Sequence, residues 1–223
     1  MGQLGGAIVP VTPFQQNCTL LFDDESRAGV VVDPGGDVPR IVEAIARERL
    51  TIEAIWLTHG HIDHAGGAMA LKRELGVEIV GPHEADAAML ANLEAQAAMF
   101  GVPGTFENCV PDRWLADGDR VGFGEGEGRH EFVALHAPGH APGHVVFHHA
   151  AARFLHAGDV LFRGSIGRTD LPGGDHDTLL ASIRDKVLPL GDETTFVCGH
   201  GPGGSVGEER RTNPFLKGLS QPH

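Results

Sequence analysis

The chain has 223 residues, 41% of them hydrophobic, which is enough for one large domain or two small ones with a sizeable core. Its 17 basic and 30 acidic side chains leave a formal charge of −13, which argues against nonspecific binding to nucleic acid or to an anionic membrane surface. Cys18, Cys109 and Cys198 are odd in number and far apart, there is no basic, apolar leader and no run of membrane-spanning length, so a reducing cytoplasmic location is the default expectation.

Residues 7–11 and 18–22 are expected as short strands, 23–26 as a polar turn, and 29–33 as a strand ended by Pro34-Gly35-Gly36. Asp37 is expected to N-cap a helix running to about residue 49, with Ile41, Ala44 and Ile45 on one face. A strand over 52–57, a helix over 65–75 and a short strand over 77–80 follow. The Ala-rich stretch 82–100 reads as helix, stopped by Gly101-Val102-Pro103-Gly104.

From Trp114 a second set of strands is expected at 120–123, 131–136, 144–149 and 153–156. Leu179, Leu180, Ile183 and Val187 mark a helix face, and 194–198 is a last strand. Ser205 with Glu208 fits a capping box for a final helix ending near Asn213-Pro214. The order strands, helices, strands, helices predicts an α/β fold: one domain over 1–223 with two similar halves, two sheets face to face and helices outside both.

The most informative stretch is Thr58-His59-Gly60-His61-Ile62-Asp63-His64, in a loop between a strand and a helix, where open α/β sheets place ligand sites. In an extended loop His59 and His61 project to one side, which suits a zinc-like ion. Asp63 and His64 are neighbours whose side chains are expected to diverge toward a second ion. Three later residues, His140, Asp159 and His200, each follow an apolar strand and sit among glycines. Together these make five imidazoles and two carboxylates. Three imidazoles can hold one ion, two imidazoles and a carboxylate the other, and the remaining carboxylate can bridge.

The motif His59-Gly60-His61-Ile62-Asp63-His64 with His140, Asp159 and His200 resembles that of the metallo-β-lactamase superfamily in order and spacing. Val32-Asp33-Pro34-Gly35-Gly36, Pro111-Asp112-Arg113-Trp114-Leu115, residues 158–170 and the tail through Asn213-Pro214-Phe215-Leu216 are similar to short glyoxalase II–like bacterial hydrolases. The resemblance implies a four-layer αββα sandwich and hydrolysis of hydroxyacylglutathione thioesters such as S-lactoylglutathione. It implies that His59, His61 and His140 hold one metal, that Asp63, His64 and His200 hold a second, and that Asp159 bridges. Two divalent ions are expected, zinc first, with iron or manganese as alternatives.

Longer glyoxalase II enzymes carry a further helical region with glutathione contacts. Only 23 residues follow His200 here, so tight glutathione recognition is not expected. The implied partner is a small thioester, with no nucleic acid and no membrane; oligomeric state is not legible.

In that chemistry, water acidified by the metals attacks the thioester carbonyl, and zinc alone brings bound water to a pKa of about 7. Asp63 is the ligand with a second role, accepting a proton from the attacking water, and Asp159 is the second catalytic candidate. Arg168 is the candidate for a glutathione carboxylate, against the competing reading of an internal pair with Asp170.

Asp33 is expected to orient a ligand loop, His83 to be solvated or capping, His144 to bond within its own loop, His148 and His149 to decorate a strand, and Cys198 to be buried. The main alternative is a persulfide dioxygenase of the same fold, with one iron on His59, His140 and Asp159. A β-lactam hydrolase, a nuclease and a non-catalytic binding module rank below it.

Overall fold

The computed structural model describes residues 2–219. The strands β1 (Leu4–Val11) and β2 (Gln16–Asp23) form a hairpin, with Leu4 opposite Asp23 and Val11 opposite Gln16. β3 (Ala28–Val32) pairs antiparallel with β2. The helix α1 (Val38–Glu48) then carries the chain to β4 (Thr51–Trp56), parallel to β3. Ile41, Ala44 and Ile45 are the buried face of α1, the spacing expected of an amphipathic helix.

Asp37 does stand at the start of α1, but in a left-handed conformation and without capping it. Its Oδ2 instead accepts the N–H of Thr12 at 2.8 Å, tying the helix entry to the β1–β2 turn.

The expected helix over 65–75 is two pieces, α2 (Ile62–Ala65) and α3 (Ala68–Leu75), broken at Gly66-Gly67. It starts three residues early, inside the histidine motif. β5 (Glu78–Val80) completes a five-stranded sheet in the order β1-β2-β3-β4-β5. The stretch 82–100 is likewise divided, into a 3₁₀ turn, α4 (Ala87–Leu90) and α5 (Leu93–Phe100).

The second half contributes β6 (Arg120–Phe123), β7 (His130–His136), β8 (Val145–His149) and β9 (Phe154–His156). A small hairpin follows that sequence patterning did not mark, β10 (Leu161–Phe162) with β11 (Ser165–Ile166). Strands of two residues are too short to display an alternation. Then come α6 (His176–Ser182), continued by a π turn over Ile183–Val187, β12 (Thr195–Val197), β13 (Gly204–Ser205) and α7 (Val206–Thr212). The second sheet has the order β13-β12-β9-β8-β7-β6. Ser205 Oγ accepts the N–H of Glu208 at 3.2 Å, as its sequence position predicts.

The two sheets pack face to face. Leu21, Val30 and Trp56 of the first meet Phe123, Phe132 and Phe147 of the second. The Trp56 ring lies 5.1 Å from Phe147 and 5.2 Å from Phe132, centroid to centroid. Truncating a side chain this buried costs about 3–5 kcal/mol. α1, α3, α4 and α5 cover the outer face of the first sheet, and α6 and α7 that of the second. This is the expected αββα sandwich. The loops after β4, β7, β9 and β12 meet at one edge. Among the described residues no helix is long and apolar enough to cross a membrane.

Candidate metal centre

After β4 the chain bends at Thr58 and runs without regular structure through His59 and Gly60 to His61, whose φ of −75° and ψ of 149° precede α2. Close backbone approach makes this possible. A Cβ on Gly35 would lie 1.5 Å from the carbonyl oxygen of Asp63, so the turn after β3 packs against α2 only as glycine. A Cβ on Gly199 would lie 2.0 Å from Asp159 Oδ1 and 2.5 Å from His64 Cε1.

His59 Nε2 is 3.0 Å from His61 Nδ1, which is 3.0 Å from His140 Nε2. The opposite nitrogens fix the tautomers. Thr58 Oγ1 donates to Asp33 Oδ2 at 2.7 Å, so it accepts from His59 Nδ1 at 2.9 Å. His140 Nδ1 donates to the Arg168 carbonyl at 2.8 Å. The facing nitrogens of His59 and His140 are therefore bare lone pairs, converging with His61 Nδ1 in a buried space. Burial and the neighbouring histidines push the pKa of His59 well down, and burial brings His61 to about 3. Burial and crowding disfavour protons on these nitrogens, and a cation suits the converging lone pairs.

The second group lies alongside. His200 Nε2 is 3.1 Å from Asp63 Oδ2, and His64 Nε2 is 3.9 Å from the same oxygen. Asp63 and His64 do not diverge as expected, because one turn of α2 points both at a common centre. Asp159 faces both groups: Oδ1 is 3.4 Å from His64 Nε2, and Oδ2 is 3.6 Å from both His140 Nε2 and His200 Nε2.

His64 Nδ1 donates to Asp33 Oδ2 at 2.9 Å, and His64 Nε2 and Asp159 Oδ1 are buried with no hydrogen-bond partner. Burial alone would lower the His64 pKa; Asp159 and Asp63 override it and raise it well above the ordinary range. These carboxylates demand a positive charge, which a divalent cation supplies. Two orphaned buried atoms and two converging donor sets fit a pair of metal ions. Asp33 also lies within reach of His59 and His64, but its oxygens are committed to the Thr58 N–H and hydroxyl and to His64, so it orients the donors.

Other residues hold the site and escaped the sequence reading. Asp86, fully buried, accepts the N–H of Gly60 with Oδ2 and of Gly143 with Oδ1, joining the loop of His59 and His61 to the loop of His140. Burial raises its pKa to about 6. Asn17 Nδ2 donates to the carbonyls of Cys198 and Gly201 on either side of His200. The available signals were an acid among alanines and a polar pair opening an apolar strand.

His144 bonds within its own loop through its backbone, to Ala137 N at 2.8 Å and the Ala141 carbonyl at 3.4 Å, but its ring reaches outside it. Its Nε2 accepts the N–H of Asp159 at 3.0 Å, and its ring stacks on His59. His149 is buried rather than decorative: it donates to His130, which donates to Asp23. His83 accepts the N–H of Ala85, a capping role, and Cys198 is buried. Arg168 forms the pair with Asp170 at 2.7 and 2.8 Å, while its backbone carbonyl orients His140.

A cavity of about 480 Å³ opens onto His61, Asp63, His140, Asp159 and His200. That is room for a small substrate.

The model of the metallo-β-lactamase superfamily matches residues 11–200. Hydroxyacylglutathione hydrolase GloC of Haemophilus influenzae is 45% identical over 217 residues, covering 96% of this chain and 98% of its own. Among solved structures, one titled BLEG-1 B3 metallo-beta-lactamase superposes with a TM-score of 0.86 at 36% identity, covering 96% of this chain and 100% of its own. Another, TTHA1623 in a di-iron-bound form, gives 0.83 at 36% identity, covering 94% and 100%. With a family model spanning most of the sequence and a relative of this identity along nearly its whole length, the chain belongs to the metallo-β-lactamase superfamily.

Proposed function

We propose that the chain is a dinuclear metallohydrolase that cleaves S-lactoylglutathione or related hydroxyacylglutathiones to a hydroxy acid and glutathione. The observation that carries this reading is the sharing of Asp159 between two donor sets on the floor of an open cavity. The likeness to a hydroxyacylglutathione hydrolase supports the substrate class. His59, His61 and His140 would hold one ion and Asp63, His64 and His200 the other, with Asp159 between them. Such ions supply Lewis acidity and lower the pKa of coordinated water to about 7.

The chain's own groups do the rest. Thr58, Arg168 and Asp33 fix the imidazole tautomers through the far nitrogens of His59, His140 and His64. Asp63, on the cavity wall, accepts the proton of the attacking water. Water oxygen bonds to the acyl carbon, the C–S bond breaks with its electron pair on sulfur, and the products are a carboxylate, a thiol and one proton. The sulfur leaves as thiolate without needing a strong acid, then takes up one of the two water protons to become the thiol. No cysteine competes as nucleophile: all three are buried, and burial pushes Cys109 and Cys198 up to about 12.

The dioxygenase alternative would use only His59, His140 and Asp159 for a single iron; the likeness to a hydroxyacylglutathione hydrolase along nearly the whole chain favours the hydrolase. Turnover of S-lactoylglutathione, oxygen uptake on glutathione persulfide and cleavage of a β-lactam, each with and without chelator, test the reading. Chelator-sensitive thioester hydrolysis as the dominant activity is expected; dominant oxygen uptake or β-lactam cleavage would overturn it.

A further inference from the structure

We infer, resting on the thioester-hydrolase reading, that this site selects its substrate by an apolar group flanking the thioester, held among Phe14, Phe100 and Phe162, and not by the charges of glutathione. The walls above the metal donors are largely apolar: Phe14 and Phe100 at one side, Phe162, Ile166 and Leu171 among the others. Phe14 and Phe100 meet edge to face at 6.5 Å and remain 43% and 42% accessible, so two large rings stand uncovered at the mouth.

Each ring is fastened to the site. The Phe14 carbonyl accepts from His200 Nδ1 at 3.3 Å. Phe100 ends α5, whose Gln96 bonds to Ile62 N and the Gly60 carbonyl within the histidine loop. Phe162 lies 6.4 Å from the His200 ring, on the β10–β11 hairpin. Buried Glu209 of α7 anchors that hairpin through Gly164 N at 2.7 Å, and Asn213 through the Ser165 carbonyl at 2.9 Å. The uncovered rings are held in place by the same bonds that build the centre.

Polar recognition is poorly provided for. Both N–H donors of Gln96 are committed, Nε2 bonding to the Gly60 and Met89 carbonyls, so the amide has no donor left for a carboxylate. Among the described residues lining the cavity, Arg168 is the only Lys or Arg, and Asp170 already holds it in a two-point pair. Trading Asp170 for a substrate carboxylate exchanges one exposed ion pair for another and gains little. A chain of charge −13 adds long-range repulsion for an anionic tripeptide. Covering the rings, by contrast, favours each added methylene by up to about fourfold.

Titration calorimetry on the metal-loaded protein with non-hydrolysable thioethers tests this independently of turnover. The probes are S-methylglutathione, S-hexylglutathione and N-acetyl-S-hexylcysteamine. Both hexyl compounds should bind at least about thirtyfold more tightly than S-methylglutathione, and within about threefold of each other. Phe14→Ala combined with Phe100→Ala should remove about tenfold or more of that preference, and Phe14→Leu with Phe100→Leu should restore most of it. Circular dichroism verifies that the exposed-ring variants fold. Equal binding of the two glutathione thioethers, with loss of tenfold or more on removing the tripeptide, would overturn the inference. If the hexyl preference stands but no thioester is hydrolysed, the hydrolase reading fails and the apolar clamp survives as a binding site.

Discussion

Asp86 accepts the backbone N–H of Gly60 at 2.8 Å, and through its other oxygen that of Gly143, so one buried carboxylate fixes the spacing of two loops that carry three imidazoles. Asp86→Ala leaves two buried N–H groups without an acceptor, at about 1–3 kcal/mol each. The variant should melt lower and bind metal about 10–100-fold more weakly, as seen for residues one step removed from a metal. Competition with a chromophoric chelator, alongside a melting curve, measures both. Wild-type metal affinity in a destabilised variant would reduce Asp86 to a structural residue.

Asp159→Ala should lose more activity than His64→Ala, because Asp159 faces both donor groups and His64 only one. The difference should be about tenfold or more, and the Asp159 variant should retain less metal. Thioester turnover and metal content of the two proteins decide it. Equal losses at equal metal content would leave the bridging position without support.

Removal of metal should lower the melting temperature. A ligand present at about 100 times its Kd adds about 2.7 kcal/mol, or roughly 5–10 °C for a chain of this size. Calorimetry of the chelated and reloaded protein measures the shift. An unchanged melting point would mean that the buried lone pairs are satisfied in another way.

Far from this centre, Asp23 receives N–H bonds from Ser26 and Glu25 and a bond from His130, which in turn accepts from His149. The Ser26 N–H, followed by His130, holds the Asp23 carboxyl down at about 2, below its usual 3.8. Folded-state pKa is depressed, so the stabilisation is complete above about pH 4 and is lost as pH falls through about 2. Burial lowers the His149 pKa, which adds acid sensitivity as pH falls below its ordinary 6.5. Asp23→Asn should melt about 2–4 °C below wild type at neutral pH, and the gap should close toward pH 2. A gap independent of pH would dissociate Asp23 from the acid response.

Much of this was legible because ligand loops follow apolar strands and glycines mark close approaches. The face of α1 could be read from Ile41, Ala44 and Ile45, and the αββα layering from the order of elements. What was not legible has a physical pattern. Asp63 and His64 were expected to diverge because they are adjacent; the short helix that turns both toward one centre is four residues long and carries no periodic signal. Asp86, Asn17 and His144 work through backbone N–H and C=O groups distant in sequence, and nothing in their neighbours names those partners. The β10–β11 hairpin, which forms a cavity wall, is too short for patterning and is held by Glu209 from the far end of the chain.

The most direct measurement is S-lactoylglutathione hydrolysis as metal is added stepwise to chelator-stripped protein, with bound metal counted at each step. The account predicts activity that reaches its plateau at two equivalents per chain and vanishes on renewed chelation. A plateau at one equivalent with His200→Ala fully active, or no thioester hydrolysis with both equivalents bound, would contradict it.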